Sequence, residues 1–285
     1  MSSITGKAIR LKRLIEPRTG TCVVCALDHG MTAPRLPQGL VELETRARQA
    51  IAGGANVLML GVGMAQRVVE HLQPSTALAL MLSASAAGRP EGPVVTPINS
   101  VEWAVRLGAD AVVVYVALSG PDEKEMIHYV AQVAEACYLW GVPFIAEAEF
   151  PNAYTTITQQ IETWGPEYLM RNARLCAELG ADIVKVNWSG DEDSFARIVD
   201  ATRVPVILAG GPVIDDLELL KRMEKAMRAG AIGCSVGRNI FEHPNPEAMT
   251  RALCRVIRDR WPAEDALAEL RAIVAAGPSS VSSAQ

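Results

Sequence analysis

The sequence places a lysine, Lys185, in the middle of the apolar stretch "GADIVKVNWSG". Lysine side chains are almost never fully buried unless a partner neutralises them or the protein uses them chemically. The run "DIVKVNW" (182–188) is typical of a strand, so Ile183, Lys185 and Asn187 share one face and two valines share the other. Because the valine face suits packing against helices, we predict that Lys185 and Asn187 point into the protein interior.

An amine in a confined interior can act as a nucleophile. Removal from water favours its neutral form, so we expect the pKa of Lys185 to be lowered. A neutral amine condenses with a ketone to form a Schiff base, which acts as an electron sink while the adjacent C–C bond is made or broken. The structural alternative is a lysine that is only neutralised by Asp28 or Glu147.

Further ionisable groups follow other predicted strands. In "LDHG", Asp28 could take or return a proton beside the iminium, or it could simply cap a loop or pair with Lys185. His29 could position the substrate by a hydrogen bond or transfer a proton. "AEAEF" adds Glu147 and Glu149. The remaining histidines lack metal-ligand spacing, so we expect neither a metal site nor a cofactor.

Two glycine-rich turns, "AGGP" and "VGRN", follow the last two predicted strands. Gly210, Gly211 and Gly237 would let backbone N–H groups approach an anion closely, and Arg238 adds a guanidinium suited to phosphate. The alternative is that the glycines only turn the chain and that Arg238 forms a surface ion pair. Their joint occurrence favours a phosphate site.

Eight β-rich runs alternate with stretches of helical spacing, and these elements must position the reactive side chains. The predicted strands are 21–27, 56–60, 77–82, 111–118, 143–150, 182–188, 205–210 and 232–237. Several intervening helices end in glycine, which suits the left-handed cap position. Alternating strands and helices imply a parallel sheet with right-handed crossovers.

Eight such units favour the α/β class and a single closed (β/α)8 TIM barrel, whose working face lies where the strands end. An open doubly wound sheet is the alternative, but no G-x-G-x-x-G follows the first strand. We predict an N-terminal extension at 1–20, the barrel at 21–275 and a disordered tail at 276–285. The basic segment "GKAIRLKRLIEPRTG" is expected to form an amphipathic helix on the barrel, with a patch for an anionic partner as the alternative.

Composition excludes several functional classes. The net charge of −5 provides no basic field for nucleic acid, and no apolar run is long enough to span a membrane. Neither a nucleic-acid nor a membrane partner is therefore expected. Six cysteines include Cys22 and Cys25, which alternate to opposite faces of a strand and are predicted to be buried rather than redox-active. Without a signal-peptide segment, we expect a cytoplasmic protein.

The blocks "LDHG", "ELGADIVKVNWSGDEDSF", "VPVILAGGP" and "AGAIGCSVGRNIFEH" resemble the archaeal-type class I (Schiff-base) fructose-bisphosphate aldolases, part of the DeoC/FbaB-like aldolases. This family includes 2-amino-3,7-dideoxy-D-threo-hept-6-ulosonate synthase and 3-hydroxy-5-phosphonooxypentane-2,4-dione thiolase. The segments "AGGAN", "VEWAVRLGADAV" and "SGDEDSF" also resemble the synthase. The resemblance covers nearly the whole chain.

The resemblance implies a (β/α)8 barrel, often assembled as a decameric ring, so we expect a homo-oligomer. It implies that Lys185 is the Schiff-base lysine and Asp28 the catalytic acid of the first strand. It also implies that a sugar phosphate binds the backbone of "AGG" and "GRN". These roles agree with the interpretation of the residues themselves.

One position departs from the family pattern. Family aldolases have a proton-donating tyrosine in a "YPRG"-like sequence after the fifth strand, where this chain has Phe150 in "EFPNAY". Glu147, Glu149 or Tyr154 could replace it, and Glu149, nearest the loop, is favoured. Strand alternation turns both glutamates inward, whereas the family geometry turns position 150 inward. A β-bulge could reconcile the two.

The leading hypothesis is a class I aldolase or transaldolase acting on a phosphorylated ketose or dihydroxyacetone phosphate. Its acceptor would be an amino-acid semialdehyde or another small aldehyde. The alternatives are a coenzyme A-dependent thiolase acting on a phosphorylated diketone, and a non-catalytic barrel that binds sugar phosphates.

Overall fold

Eight parallel strands close into a barrel in the computed structural model, which describes residues 2–86, 94–118, 122–151 and 156–276. Its strands are β1 (Cys22–Ala26), β2 (Val57–Gly61), β3 (Ala77–Met81), β6 (Ala111–Val116), β7 (Phe144–Ala148), β8 (Ile183–Val186), β9 (Val206–Ala209) and β10 (Gly233–Val236). Strand β1 pairs with both β2 and β10, which closes the ring. The predicted TIM barrel is confirmed, and every predicted barrel strand overlaps an observed one.

Helices surround this barrel. They are α1 (Ser2–Leu14), α2 (Leu43–Gly53), α3 (Val62–Val68), α4 (Val101–Arg106), α5 (Glu123–Trp140), α6 (Ile157–Glu178), α7 (Glu192–Thr202), α8 (Asp216–Arg228), α9 (Arg238–Phe241), α10 (Pro246–Ile257) and α11 (Ala263–Ala276). Helix α2 ends as predicted at a glycine, because Gly54 adopts the left-handed conformation and donates its N–H to the last turn.

Two features were not predicted. An antiparallel hairpin, β4 (Ser83–Ala86) with β5 (Val94–Pro97), follows β3 and lies outside the barrel sheet. Helix α11 follows α10, and its last residue, Ala276, falls where the tail was predicted to begin. The rest of that tail lies outside the described residues.

Alternation along the strands separates two apolar layers. The barrel interior contains Val24, Ile145, Ile183 and Ile207 together with other inward-facing residues. The alternate strand residues, such as Val184 and Val186, pack instead against the surrounding helices. Cys22 belongs to the inner layer and Cys25 to the outer one, and all six cysteines are buried without a disulfide. The predicted burial of Cys22 and Cys25 is confirmed, and burial raises the pKa of the Cys22 thiol to about 12, which disfavours the reactive thiolate.

Helix α1 lies across the end of the barrel where the strands begin. Its basic side chains reach groups in the segments that lead into strands. Lys7 contacts Asp182 at 2.9 Å, Arg10 donates to the Gly141 carbonyl at 2.9 Å, and Arg13 contacts Asp110 at 2.6 Å. The apolar side, through Leu14, packs into the barrel interior. The prediction of a helix packed on the barrel is confirmed.

The side chain of Asn56 joins this helix to the barrel. Its amide nitrogen donates to the Leu14 carbonyl at 2.8 Å, and its oxygen accepts from the Val23 N–H at 2.9 Å and from Arg258 at 3.1 Å. One residue before β2 therefore links α1, β1 and the end of α10. Across the described ranges, no helix is long and apolar enough to cross a membrane.

We expect Asn56→Ala to lower the free energy of unfolding by about 2 to 4 kcal/mol, because several part-buried donors and acceptors lose their hydrogen bonds to the Asn56 side chain. Urea denaturation followed by circular dichroism measures this change. Gln66→Ala, at an exposed position on α3, is the control and should change stability by less than about 0.5 kcal/mol. Equal stabilities of the two variants would contradict the linking role of Asn56.

Candidate active site

The side chain of Lys185 lies inside the barrel, as predicted from strand alternation, and contacts two carboxylates. Its Nζ lies 2.6 Å from Glu147 Oε1 and 2.8 Å from Glu149 Oε1. All three side chains are buried. The lysine therefore has the neutralising partner that a buried ammonium requires, and this partner is a pair of glutamates.

The register of the sheet creates this contact. Glu147 on β7 and Lys185 on β8 are paired residues of adjacent parallel strands, so their side chains leave the same face side by side. Glu149 follows two residues later, beyond the end of β7, and returns to that face. A backbone hydrogen bond from the Glu149 N–H to the Glu147 carbonyl, at 2.9 Å, tightens the chain between them.

The expected lowering of the pKa of Lys185 is wrong for the unliganded protein. Burial alone would lower it, but the negative charges of Glu147, Glu149 and Asp28 outweigh burial and raise the pKa of Lys185 above its ordinary value. The sequence argument counted desolvation but not the carboxylates that strand register places beside the amine. Lys185 is thus an ammonium until something takes its proton.

Burial acts in the opposite direction on the pKa values of the neighbouring acids, because it favours the neutral form of every ionisable group. It raises the pKa of Glu147 to about 8, against the opposing charge of Lys185. Burial also raises the pKa of Asp28, opposed by the charges of Lys185 and Arg238. Glu147 can therefore both hold and release a proton near neutral pH, the property that a general acid or base needs.

His29 stands beside Asp28 at the same end of the barrel. Its Nδ1 lies 3.6 Å from Asp28 Oδ1, which is too long for a hydrogen bond, and its ring meets Phe241 edge-on at 5.3 Å. Burial, with the charges of Arg238 and Lys185, lowers the pKa of His29 to about 3. The imidazole is therefore neutral at physiological pH, which suits hydrogen bonding better than delivery of a proton.

Phe150 points away from the reactive groups. Its ring packs in the outer apolar layer and stacks on Tyr168 of α6, with ring centroids 6.0 Å apart. Strand alternation therefore describes this position, and the expectation that residue 150 points inward is wrong. Both glutamates take the inward direction. Tyr154, considered as a replacement for the tyrosine, lies outside the described residues.

Two side chains hold the peptide units on either side of Phe150. Asn187 Oδ1 accepts the Phe150 N–H at 2.7 Å, and the Tyr115 hydroxyl donates to the Phe150 carbonyl at 2.8 Å. The Asn187 amide also approaches Glu149 Oε2 at 3.4 Å. We call these contacts the Phe150 clamp. They fix the backbone that carries Glu149 toward Lys185.

The two glycine turns are joined by Asn239 of α9. Its amide nitrogen donates to the carbonyls of Gly210 and Pro212 at 3.2 and 2.9 Å, and its oxygen accepts the Ile214 N–H at 3.0 Å. Asn239 therefore ties the loop after β9 to the start of α9. This linkage preorganises their backbone N–H groups.

Gly237 permits a close approach between the second turn and the first strand. A Cβ at this position would lie 2.5 Å from the Ala26 carbonyl oxygen and 2.5 Å from His29 Cε1. No larger residue fits without moving β1 or His29. Gly211, in the first turn, has a φ of +68°, a backbone conformation that favours glycine. Gly237 thus does more than end a strand, because it brings the second turn close to His29.

Comparison with known proteins gives a consistent assignment. The family model of the DeoC/LacD family aldolases matches residues 22–243. The chain belongs to this aldolase family. It is therefore an enzyme of the carbon–carbon lyase class.

Individual relatives of this aldolase align over almost their whole length. A 2-amino-3,7-dideoxy-D-threo-hept-6-ulosonate synthase of Halobacterium salinarum is 35% identical over 94% of this chain and 98% of its own. A 2-amino-4,5-dihydroxy-6-oxo-7-(phosphonooxy)heptanoate synthase of Streptomyces griseus is 31% identical over 89% and 90%. A solved Schiff-base-forming fructose-1,6-bisphosphate aldolase superposes with a TM-score of 0.77, at 27% identity over 88% of this chain and 99% of its own.

Sequence reasoning missed two residues of the candidate site. Tyr115 lies on β6 in register with Glu147, but a tyrosine in the run "AVVVYV" looks like any core aromatic. Asn239 belongs to "VGRN", a motif in which only the glycine and the arginine are residue types typical of a phosphate site. Asn187 was placed inward but given no role. Its position two residues after Lys185, on the same face, could have indicated one.

Removing the central cation should make stability depend on pH. In Lys185→Met the buried carboxyl groups have no ammonium beside them, so the folded state retains their protons more strongly than the unfolded chain does. A carboxyl pKa raised by folding contributes stability at low pH that is lost as pH rises. We expect the melting temperature of Lys185→Met to fall, relative to the wild type, between about pH 5 and about pH 8.

Scanning calorimetry at several pH values measures this difference, with Lys124→Met, at an exposed position on α5, as the matched control. A pH-independent difference for Lys185→Met would show that the ammonium does not balance the carboxylates.

Proposed function

We propose that the protein is a class I aldolase or transaldolase that forms or cleaves a C–C bond through a Schiff base on Lys185. Its donor substrate is a phosphorylated ketose or dihydroxyacetone phosphate. The observation that carries the proposal is the position of Lys185, an amine buried in the barrel within 2.6 and 2.8 Å of two carboxylates. These carboxylates can accept its proton and later return it.

Schiff-base formation first needs a neutral amine. Glu147, in hydrogen-bond contact with Nζ, accepts the ammonium proton, and the free amine then attacks the ketone carbon. The C–N bond forms as the carbonyl π pair moves to oxygen, and a proton passes from nitrogen to that oxygen to give a carbinolamine. The proton held by Glu147 then leaves with the hydroxyl as water, which gives the iminium. The iminium accepts the electron pair when the bond between the α and β carbons breaks.

The reaction then requires a proton transfer at the oxygen of the aldehyde partner. In the cleavage direction a base removes the proton of the hydroxyl group, and in synthesis an acid protonates the new alkoxide. We assign this role to Glu149, because it lies next to Lys185 at the mouth of the barrel and the Phe150 clamp holds its backbone. Asp28 is assigned to proton exchange at the carbon beside the iminium, and His29 to substrate hydrogen bonding.

The phosphate of the donor is assigned to the two glycine turns. Gly210, Gly211 and Gly237 offer close backbone approach, and Asn239 holds the turns together. Arg238 supplies positive charge, as its effect on the pKa values of Asp28 and His29 indicates. In barrels of this kind, the loops after the last two strands commonly bind phosphate.

An amino-acid semialdehyde is the acceptor that we favour. The names of the two relatives describe products with a 2-amino group, and one name also includes a phosphonooxy group. Condensation of a phosphorylated three-carbon donor with an amino-acid semialdehyde gives a product of that kind. A cytoplasmic location and self-association also belong to this proposal. Free buried cysteines and the exposed Tyr138 and Leu139 at the end of α5 support them.

A coenzyme A-dependent thiolase is the second candidate. The outward position of Phe150 favours it, because no aromatic hydroxyl from that position enters the site. Release of an acyl group that depends on added coenzyme A would separate this reaction from an aldol cleavage.

The proposal predicts a covalent adduct on Lys185. Incubation with dihydroxyacetone phosphate and borohydride should add the reduced substrate to one lysine, which intact-mass and peptide mass spectrometry would locate at residue 185. Lys185→Arg keeps a cation beside the glutamates but cannot form the Schiff base, so it should give no adduct. Substrate-induced thermal stabilisation without an adduct in the wild type would instead indicate a non-catalytic sugar-phosphate-binding protein.

Glu149→Gln tests the division of labour between the two glutamates. It should still form the adduct, but turnover should fall by about a hundredfold or more because the proton transfer at the aldehyde oxygen is lost. Glu147→Gln should instead slow adduct formation. Full turnover by Glu149→Gln would refute its assigned role while leaving the Schiff base itself unaffected.

A further inference from the structure

A second cleft, of about 480 Å³, opens at the end of the barrel opposite the catalytic groups. We call it the basal cleft. It is lined by the end of α1 and the loop after it, by the end of α2, by the residues just before β2 and β3, and by Arg258 after α10. The catalytic candidates all lie at the other ends of the strands, so the two sites are separated by the length of the barrel.

The lining of the basal cleft is rich in positive charge, although the whole chain carries −5. Its cations are Lys12, Arg13, Arg18 and Arg258, and Glu16 is the carboxylate among its described lining residues. Arg13 is neutralised by Asp110 at 2.6 Å. The lining therefore keeps an excess of cations after this ion pair is counted.

Glu16 is occupied by local contacts. Its carboxylate accepts the N–H groups of Arg18 and Thr19 at 3.0 and 3.1 Å, and it also accepts the Thr19 hydroxyl. The hydrogen bond from the Thr19 hydroxyl, together with these N–H groups, lowers the pKa of Glu16. These contacts shape the loop that presents Arg18, whose Nε lies 3.8 Å from Glu16 Oε1. Glu16 therefore offsets one cation of the lining, and Lys12 and Arg258 remain in excess.

One cation of the basal cleft is held in place, and neutral hydrogen-bonding groups lie around it. Arg258 donates from Nη2 to Asn56 Oδ1 at 3.1 Å, and that amide is itself tied to β1 and α1. Gln73, Ser75 and Thr76 contribute further polar side chains. A fixed guanidinium with cationic side chains at the rim and neutral donors beside them is suited to phosphate oxygens.

We infer that the basal cleft is a binding site for a small molecule with two or more phosphate groups. Its volume lies in the range of small-molecule sites. The separate cations Lys12, Arg18 and Arg258 can contact more than one phosphate. This inference uses part of the N-terminal basic segment that the proposed reaction leaves unexplained, and it does not depend on that reaction.

Isothermal titration calorimetry with inorganic pyrophosphate tests the site on the full chain. The double variant Lys12→Gln, Arg18→Gln should weaken one class of pyrophosphate site by about tenfold or more, because two charge-assisted contacts are lost. The control Lys124→Gln, Arg197→Gln removes the same charge from exposed positions on α5 and α7 and should bind like the wild type.

Arg238→Gln separates this site from the catalytic face. The pyrophosphate sites that the Lys12, Arg18 double variant weakens should persist in Arg238→Gln, because Arg238 lies at the opposite end of the barrel. The inference is overturned if the Lys12, Arg18 double variant titrates like the wild type, or if the lost sites are those removed by Arg238→Gln. Absence of saturable binding up to about 10 mM pyrophosphate would overturn it as well.

Discussion

The contact of the Lys185 ammonium with Glu147 and Glu149 is the constraint on which the site depends. A charge buried in a barrel is tolerated only with close compensation, and here the compensation comes from the adjacent strand. The same contact poses the chemical problem of the enzyme. The carboxylates that stabilise the ammonium also raise the pKa of Lys185. In the proposed mechanism, the amine therefore becomes a nucleophile only when one of them takes the proton. Glu147, with a pKa near 8, is suited to that exchange.

The rest of the fold keeps these groups in place. Register sets Glu147 beside Lys185, and the Phe150 clamp fixes the backbone that carries Glu149. With the Phe150 ring stacked outside on Tyr168, the two glutamates are what the end of β7 directs toward Lys185. At the other end, α1 covers the start of the strands through Leu14 and its basic side chains. Helix α1 thus covers the barrel interior at one end, and the candidate catalytic groups lie at the other.

Much of this arrangement follows from local patterns. Period-two alternation was sufficient to predict that Lys185 points inward. It also predicted the correct directions of Glu147, Glu149 and Phe150, whereas the family expectation was wrong for position 150. The pKa of Lys185 could not be predicted, because it depends on which residues of β7 pair with β8, and one sequence does not contain that register. The hairpin at Ser83–Ala86 was missed because "SASA" lacks the β-branched and aromatic residues typical of strands. The clamp was missed because its two hydrogen bonds end on backbone groups, which carry no mark in the sequence.

The central claim is that Lys185 forms the Schiff base and that Glu149, rather than a residue at position 150, handles the proton of the aldehyde partner. A crystal soaked with dihydroxyacetone phosphate and an aldehyde acceptor tests it most directly. The account predicts continuous density from Lys185 Nζ to the substrate carbon, phosphate on the two glycine turns, and a Glu149 oxygen within about 3 Å of the reacting oxygen. Substrate bound without a bond to Lys185, or a reacting oxygen in contact with some other side chain in place of Glu149, would contradict it.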